Sequence, residues 1–180
     1  MPHAIRIHQS GGPEVLQWEE VDVGDPGPGQ VRVRNAAIGL NFIDTYQRGG
    51  LYPMPMPFTC GSEGAGVVEA VGPKVKGLKK GDRVAYAGPI GAYAEVLLRP
   101  ADRLVKIPKG VSDQAAAAMM LKGMTAWYLL RRTYKVKKGD TILVHAAAGG
   151  VGLIMCQWAK HLGATVISTV GDRKSTRLNS

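Results

Sequence analysis

Residues 139–152, Gly-Asp-Thr-Ile-Leu-Val-His-Ala-Ala-Ala-Gly-Gly-Val-Gly, decide the fold. Gly139-Asp140 marks a turn, and Thr141-Ile142-Leu143-Val144-His145 is an apolar run of the kind that forms a buried parallel strand. It passes directly into Ala146-Ala147-Ala148-Gly149-Gly150-Val151-Gly152, then into a helix-length segment from Leu153 to Leu162 carrying Ile154, Met155 and Trp158. Gly163-Ala164 closes that helix, and Thr165 to Val170 supplies a second β-branched strand. Strand, glycine turn, helix, strand is the context that a dinucleotide fingerprint requires. Gly149 lets the backbone approach a pyrophosphate, and Gly152 lets helix and strand pack closely. The helix N-terminus offers unpaired amides and a partial positive charge to the anion. Ala146 or Ala147 stands where the first glycine of such a turn usually lies. The rival reading is a glycine turn that only joins strand to helix.

The tip of the second strand bears on the cofactor. An NAD site usually places Asp or Glu there for the ribose 2′-hydroxyl, whereas a 2′-phosphate needs small or basic neighbours. Here the tip reads Thr169-Val170-Gly171, with Arg173 and Lys174 just beyond, which favours NADPH. Asp172 is the competing feature, since it lies roughly 20 residues past Gly152.

Upstream the texture differs. Residues 1 to about 110 are rich in Gly and Pro with short alternating runs, the pattern of an irregular β domain. Ala4 to Ile7, Val31 to Arg34, Gly66 to Val71, Val84 to Tyr86 and Ala92 to Leu98 are the expected strands. Gly24 to Gly29 is a turn region, and Leu51-Tyr52-Pro53-Met54-Pro55-Met56-Pro57 has too many prolines for a helix interior or a central strand. Ser112-Asp113 offers an N-cap and a first-turn carboxylate for a helix over Ala115 to Leu121. A second helix is expected from Thr125 to Arg132, with Ala126, Trp127, Leu129 and Leu130 on one face. The domain boundary falls between these, giving 1–122, then 123–171, with 172–180 set apart.

Composition excludes several classes. The 180 residues are 45% hydrophobic, enough for a sizeable core, yet no run reaches the roughly 18 apolar residues of a membrane span. Met1 to Ala4 lacks the basic start and apolar run of a signal peptide, so a cytoplasmic location is expected. Cys60 and Cys156 are the only cysteines and read as free thiols. The net charge of +9 gathers at Lys74 to Lys80, Arg131 to Lys138 and Arg173 to Arg177. Each run adjoins turn residues and reads as a solvated loop or helix end, with nucleic-acid binding the lesser alternative.

Five segments together resemble one family. Gly11-Gly12-Pro13-Glu14-Val15-Leu16, Gly39-Leu40-Asn41-Phe42-Ile43-Asp44-Thr45-Tyr46, Gly81-Asp82-Arg83-Val84, Leu121-Lys122-Gly123-Met124-Thr125 and His145 to Gly152 occur in the order found in the zinc-free quinone oxidoreductase (zeta-crystallin-like) family of medium-chain dehydrogenases/reductases. The match reaches to Gly171 and is nearest to the bacterial NADPH:quinone reductases. It implies an α/β chain with a mainly β domain: a GroES-like irregular β barrel, then the start of a Rossmann doubly wound parallel sheet. A homodimer with its active site in the cleft between the domains is also implied. The family's zinc-dependent alcohol dehydrogenases place a cysteine and a histidine ligand where this chain has Asn41 and Ser62, and neutral amide and hydroxyl oxygens are poor zinc ligands. No metal is therefore expected.

Without a metal, hydrogen-bond donors must stabilise the developing oxyanion. The resemblance implies Asn41, Tyr46 and Tyr52 as the catalytic groups, and it sets Asn41, Phe42, Ile43, Asp44, Thr45 and Tyr46 beside the nicotinamide. It adds Thr125, then Ala147, Gly149, Gly150, Val151 and Gly152 of the turn, and Gly171 at the strand tip, as further cofactor contacts. Either tyrosine could instead be a half-buried aromatic with a satisfied hydroxyl, and Thr125 could simply pack its helix. His145 reads as a core or cleft-wall histidine rather than a general base, and Glu63 as a hydrogen-bonding group within its glycine-rich turn. The implied reaction is NADPH-dependent reduction of a quinone. The alternatives are an enone or enoyl-thioester reductase, and a crystallin-like protein that binds NADPH or RNA. A dinucleotide domain needs further βα units after the second strand, so the chain reads as cut off within that domain. The polar end Ser175 to Ser180 reads as a non-native junction.

Overall fold

The computed structural model describes residues 1–171, and the chain divides between Met120 and Leu121 into two compact units. The features assigned above to Asp172, Arg173, Lys174 and the 172–180 tail lie outside the described residues.

In the first unit the elements follow in the order β1 (His3–Ile7), β2 (Gln17–Glu20), β3 (Gln30–Gly39), α1 (Phe42–Arg48), β4 (Phe58–Thr59), β5 (Glu63–Val71), β6 (Arg83–Ala87), β7 (Val96–Pro100) and β8 (Leu104–Lys106). They form two antiparallel sheets, β2-β1-β4 and β7-β3-β5-β6-β8. The alternation in β3 works as its pattern demands: Val31 and Val33 point into a core with Val68, Val84, Tyr86 and Leu97, while Arg32 and Arg34 meet Glu69 on the other face. Two register shifts, at Arg32/Val33 and Asn35/Ala37, bend the long strand. Leu51 to Pro57 forms neither helix nor strand, as its prolines require.

Two expectations change here. The sheets do not close into a hydrogen-bonded barrel among the described residues; a single bridge between Ala4 and Ala94 links them. The strand expected over Ala92 to Leu98 is regular only from Val96, because the Glu95 amide turns to His3 O on β1 while its carbonyl still accepts the Asn35 amide of β3. The carbonyls of Ala92 and Ala94 are taken instead by Asn35 Nδ2, at 3.1 and 2.7 Å. Tyr86 completes that substitution by donating its hydroxyl to Asn35 Oδ1 at 2.8 Å. The side chain of one asparagine thus replaces two ladder partners.

Helix α2 (Asp113–Tyr128) is one continuous helix where two were expected. Ser112 Oγ accepts the Ala115 amide at 3.1 Å, the cap its sequence announced. Gly123 costs only about 1 kcal/mol relative to alanine, too little to break sixteen residues of helix. Leu129–Thr133 then widens into a π turn. Ala126 and Leu130, one turn apart, are buried, but Trp127 is 45% exposed and lies under the Arg132 guanidinium rather than on the packed face.

The second unit contains β9 (Thr141–Val144), α3 (Gly150–His161) and β10 (Thr165–Ser168), with β9 and β10 parallel and paired from Thr141 with Thr165 to Val144 with Ser168. Leu130, Val136 and Ala159 are its buried centre, with Ile142, Met155, Trp158, Leu162 and Val166 packed around them. Among the described residues the strand is covered on one side. Leu143 and its register partner Ile167 are each 55% exposed, because side chains alternate and α3 covers only one face.

Arg99 in β7 is an unusual core residue. It is 4% exposed, and its Nε and Nη2 have no hydrogen-bond partner among the described residues. Its guanidinium carbon lies 4.8 Å from the Tyr86 ring centre, and burial lowers its pKa. A buried cation without an anion costs several kcal/mol of desolvation, and a cation–π contact returns about 2 kcal/mol. Arg99→Met is therefore expected to raise the thermal unfolding midpoint; a lowered midpoint would show that the guanidinium is satisfied.

Candidate functional site

The turn after β9 builds a cradle from backbone. Ala146 has φ of 50°, a left-handed conformation that glycine adopts more readily than alanine. Its carbonyl accepts the Gly149 amide at 2.9 Å, and the Ala147 amide donates to Thr169 at 3.0 Å, which ties the turn to the segment after β10. Gly149 is the N-cap of α3, with no side-chain cap and no acidic residue in the first turn. Gly152 is where helix and strand end meet: a Cβ there would lie 2.5 Å from the Ala146 carbonyl oxygen and 2.6 Å from Ala147 Cα. Gly149 and Gly150 are exposed, Val151 is half-buried, and Gly171 is exposed. The backbone of the turn is open to an anion, and no carboxylate of the first turn competes for it.

Two other residues of this unit sit differently from their expected roles. Thr125 donates its hydroxyl to Leu121 O at 2.7 Å within its own helix. His145 is exposed rather than part of the core, with Nδ1 3.0 Å from Thr169 Oγ1.

In the first unit, α1 is organised by its start. Asn41 and Asp44 form a reciprocal capping box, in which the Asn41 side chain receives the Asp44 amide and Asp44 Oδ2 receives the Asn41 amide at 2.9 Å. Asn41 Nδ2 also donates to Glu63 Oε1 at 2.7 Å. Glu63 was expected to bond within its own turn; its carboxylate reaches across 22 residues to the helix instead, because β3 and β5 pair Gly39 with Glu63 and bring the two segments together. Tyr93 donates its hydroxyl to Asp44 Oδ2 at 2.8 Å, and burial first, then Asp44, pushes its pKa up. Asn41 and Asp44 are 8% and 5% exposed, so both face inward, and Asp44 Oδ1 has no hydrogen-bond partner among the described residues. A cavity of about 190 Å³ adjoins Asp44, Thr45, Arg48, Cys60 and Tyr93.

The outer face of α1 is aromatic. Phe42 and Tyr46 meet edge to face at 5.1 Å, and Tyr46 and Tyr52 at 5.7 Å. Tyr52 is held beside α1 by its amide, which donates to Tyr46 O at 3.3 Å. Tyr46 is 37% and Tyr52 49% exposed, Ile43 is 37% exposed, and Phe42 is 73% exposed. Thr45 caps the helix interior by donating to Phe42 O. The structure thus brings together Asn41 through Tyr46 with Tyr52, as one element and the loop beside it.

Comparison with known proteins follows from this geometry. Residues 27–109 match the alcohol dehydrogenase GroES-like domain. The chain is 57% identical over 180 residues to the quinone oxidoreductase of Pseudomonas aeruginosa, covering 99% of the chain and 55% of that protein. The chain is a homologue of the quinone oxidoreductases. A 2-haloacrylate reductase from a Burkholderia species is 55% identical, covering 97% of the chain and 54% of that protein. The crystal structure of Escherichia coli quinone oxidoreductase complexed with NADPH superposes with a TM-score of 0.94 at 51% identity, covering 97% of this chain and 54% of that one. The chain spans about 55% of the length of its quinone oxidoreductase relative. Among the described residues no three His, Cys, Asp or Glu side chains gather as a metal site would need, and no helix is long and apolar enough to cross a membrane.

In this quinone oxidoreductase homologue, local pattern did not reveal Tyr93 and Cys60, which complete the support of α1. Tyr93 lies 49 residues from its partner Asp44, and no spacing rule links them. Cys60 is 1% exposed and its thiol is pushed up to about 11, first by burial and then by Asp44. At pH 8 it is held as thiol, the unreactive form. Iodoacetamide at that pH is expected to label Cys156, which is half-buried, and to leave Cys60 unmodified until the protein is unfolded. Mass spectrometry that found Cys60 labelled at the same rate as Cys156 would contradict this arrangement.

Proposed function

We propose that the protein reduces quinones with NADPH, without zinc. The observation that carries this reading is the pairing of two features within one quinone oxidoreductase homologue: an open glycine turn with Gly152 packed on the strand end, and a tyrosine-bearing helix with exposed hydroxyl-carrying rings. Gly149, Gly150, Val151 and Gly152 would hold the cofactor pyrophosphate by their backbone, with Ala147 and Gly171 alongside. Asn41 to Tyr46 and Thr125 would complete its contacts. When bound, NADPH supplies the hydride. The absence of a carboxylate at Thr169-Val170-Gly171 favours the 2′-phosphate over a free ribose hydroxyl.

The protein's own chemistry is then orientation and hydrogen bonding. Tyr46 and Tyr52 are assigned as donors to the acceptor oxygen, stabilising the charge that develops on it and passing on the proton that completes reduction. Asn41 is assigned to the same site, where its buried side chain caps α1 and fixes the helix that carries Tyr46. The likeness to the 2-haloacrylate reductase of a Burkholderia species favours a second reading, reduction of an activated alkene on the same scaffold. A homodimer and a cytoplasmic location complete the proposal, the latter in keeping with two free cysteines.

The test is oxidation of NADPH by a small quinone, followed by absorbance, in the protein and in Tyr46→Phe and Tyr52→Phe. Loss of one hydrogen-bond donor to a developing oxyanion is expected to lower kcat by about 100-fold for the tyrosine that contacts it. Saturable RNA binding without turnover, or turnover indifferent to both substitutions, would contradict the reading.

A further inference from the structure

We infer that Glu63 is the positioning residue of the candidate active site and acts on it through the side-chain amide of Asn41. The inference rests on the reading above, in which α1 presents reacting groups. Glu63 opens β5, a strand paired on both sides, and is fully buried. Its Oε1 accepts Asn41 Nδ2 at 2.7 Å. Gly39 lies opposite it in register, and a Cβ at that position would fall 2.4 to 2.5 Å from Glu63 Cγ, Oε1 and Cδ. The carboxyl group therefore occupies the space that a side chain on β3 would fill.

The consequence runs through three bonds. The bond from Asn41 to Glu63 orients the Asn41 amide. That amide receives the Asp44 N–H and sets the first turn of α1, and Asp44 answers by receiving the Asn41 N–H. The same helix carries Tyr46, one turn further on from Phe42, with Tyr52 resting on it. Capping needs only the Asn41 side-chain oxygen, whereas the bond to Glu63 fixes the amide nitrogen as well. A buried acceptor in the sheet thereby gives the capping amide a defined rotation. Glu63 thereby sets the direction in which α1 offers its aromatic face.

A double-mutant cycle tests this, with kcat and KM for NADPH-dependent quinone reduction read beside amide hydrogen exchange over residues 41–48. Asn41→Asp sets two carboxylates face to face and is expected to lower kcat by about tenfold and to speed exchange across α1. Glu63→Gln keeps an acceptor and is expected to lower kcat less. Combining the two reverses the bond, since an amide at 63 donates to a carboxylate at 41, and aspartate is itself a good N-cap. Recovery of protection over 41–48, with kcat raised above that of Asn41→Asp alone, is the expected result in the combined variant, with exchange in β5 and β6 as the folding control. Additive losses, or exchange over 41–48 indifferent to all three variants, would overturn the inference. Coupled exchange in a protein that never oxidises NADPH with a quinone would leave the positioning role standing and overturn the reaction instead.

Discussion

The closest constraint in the second unit is the meeting of Gly152 with the backbone of Ala146 and Ala147. A single added carbon would stand 2.5 Å from a carbonyl oxygen and 2.6 Å from Ala147 Cα, so α3 can begin where it does only because position 152 has no side chain. From that contact follow the sharp turn, the left-handed Ala146, and the exposure of Gly149 and Gly150 at the helix start. The parallel pairing of β9 with β10 depends on it too, since a helix lifted off the strand would not return Thr165 to Thr141. A helix N-terminus left bare of acids and side-chain caps is an electrostatic invitation to an anion.

The first unit answers a different demand. Its helix α1 has only seven residues, too short to be stable by propensity, so its conformation is imposed by what holds its ends. Asn41, Asp44, Glu63 and Tyr93 bind its start, and Arg48 reaches back from its end to Gly11 O at 3.2 Å. The polar side of α1 is consumed in this anchoring, which leaves the aromatic side outward. Burial of Asn41 thus separates the two duties assigned to the segment: the amide holds the helix, and the phenols of Tyr46 and Tyr52 are the groups open to a ligand.

Much of this was legible in the sequence where one local signal sufficed. Alternation over Val31 to Arg34 gave the first part of β3, prolines gave the loop before β4, Ser112 gave the cap of α2, and the order of turn, helix and strand gave the second unit. The homology to quinone oxidoreductases agrees with the motifs that suggested it. What escaped depended on distant partners or on competition between weak preferences. Gly123 was too mild a breaker to divide α2. The early part of the Ala92 to Leu98 run lost its ladder to Asn35, and Glu63 found Asn41 through a strand pairing that no spacing along the chain could announce. Leu143, in a run read as a buried strand, is exposed among the described residues because an apolar run does not say which face a neighbour covers.

The account stands on the claim that the backbone after β9 receives the cofactor pyrophosphate. The most direct measurement is the amide proton and nitrogen shifts of Gly149, Gly150, Val151 and Gly152 during titration with NADPH. Large, saturable shifts concentrated on these four amides, weaker with NADH at equal concentration, are predicted. Binding of NADPH that left them unmoved while shifting amides elsewhere would contradict the claim.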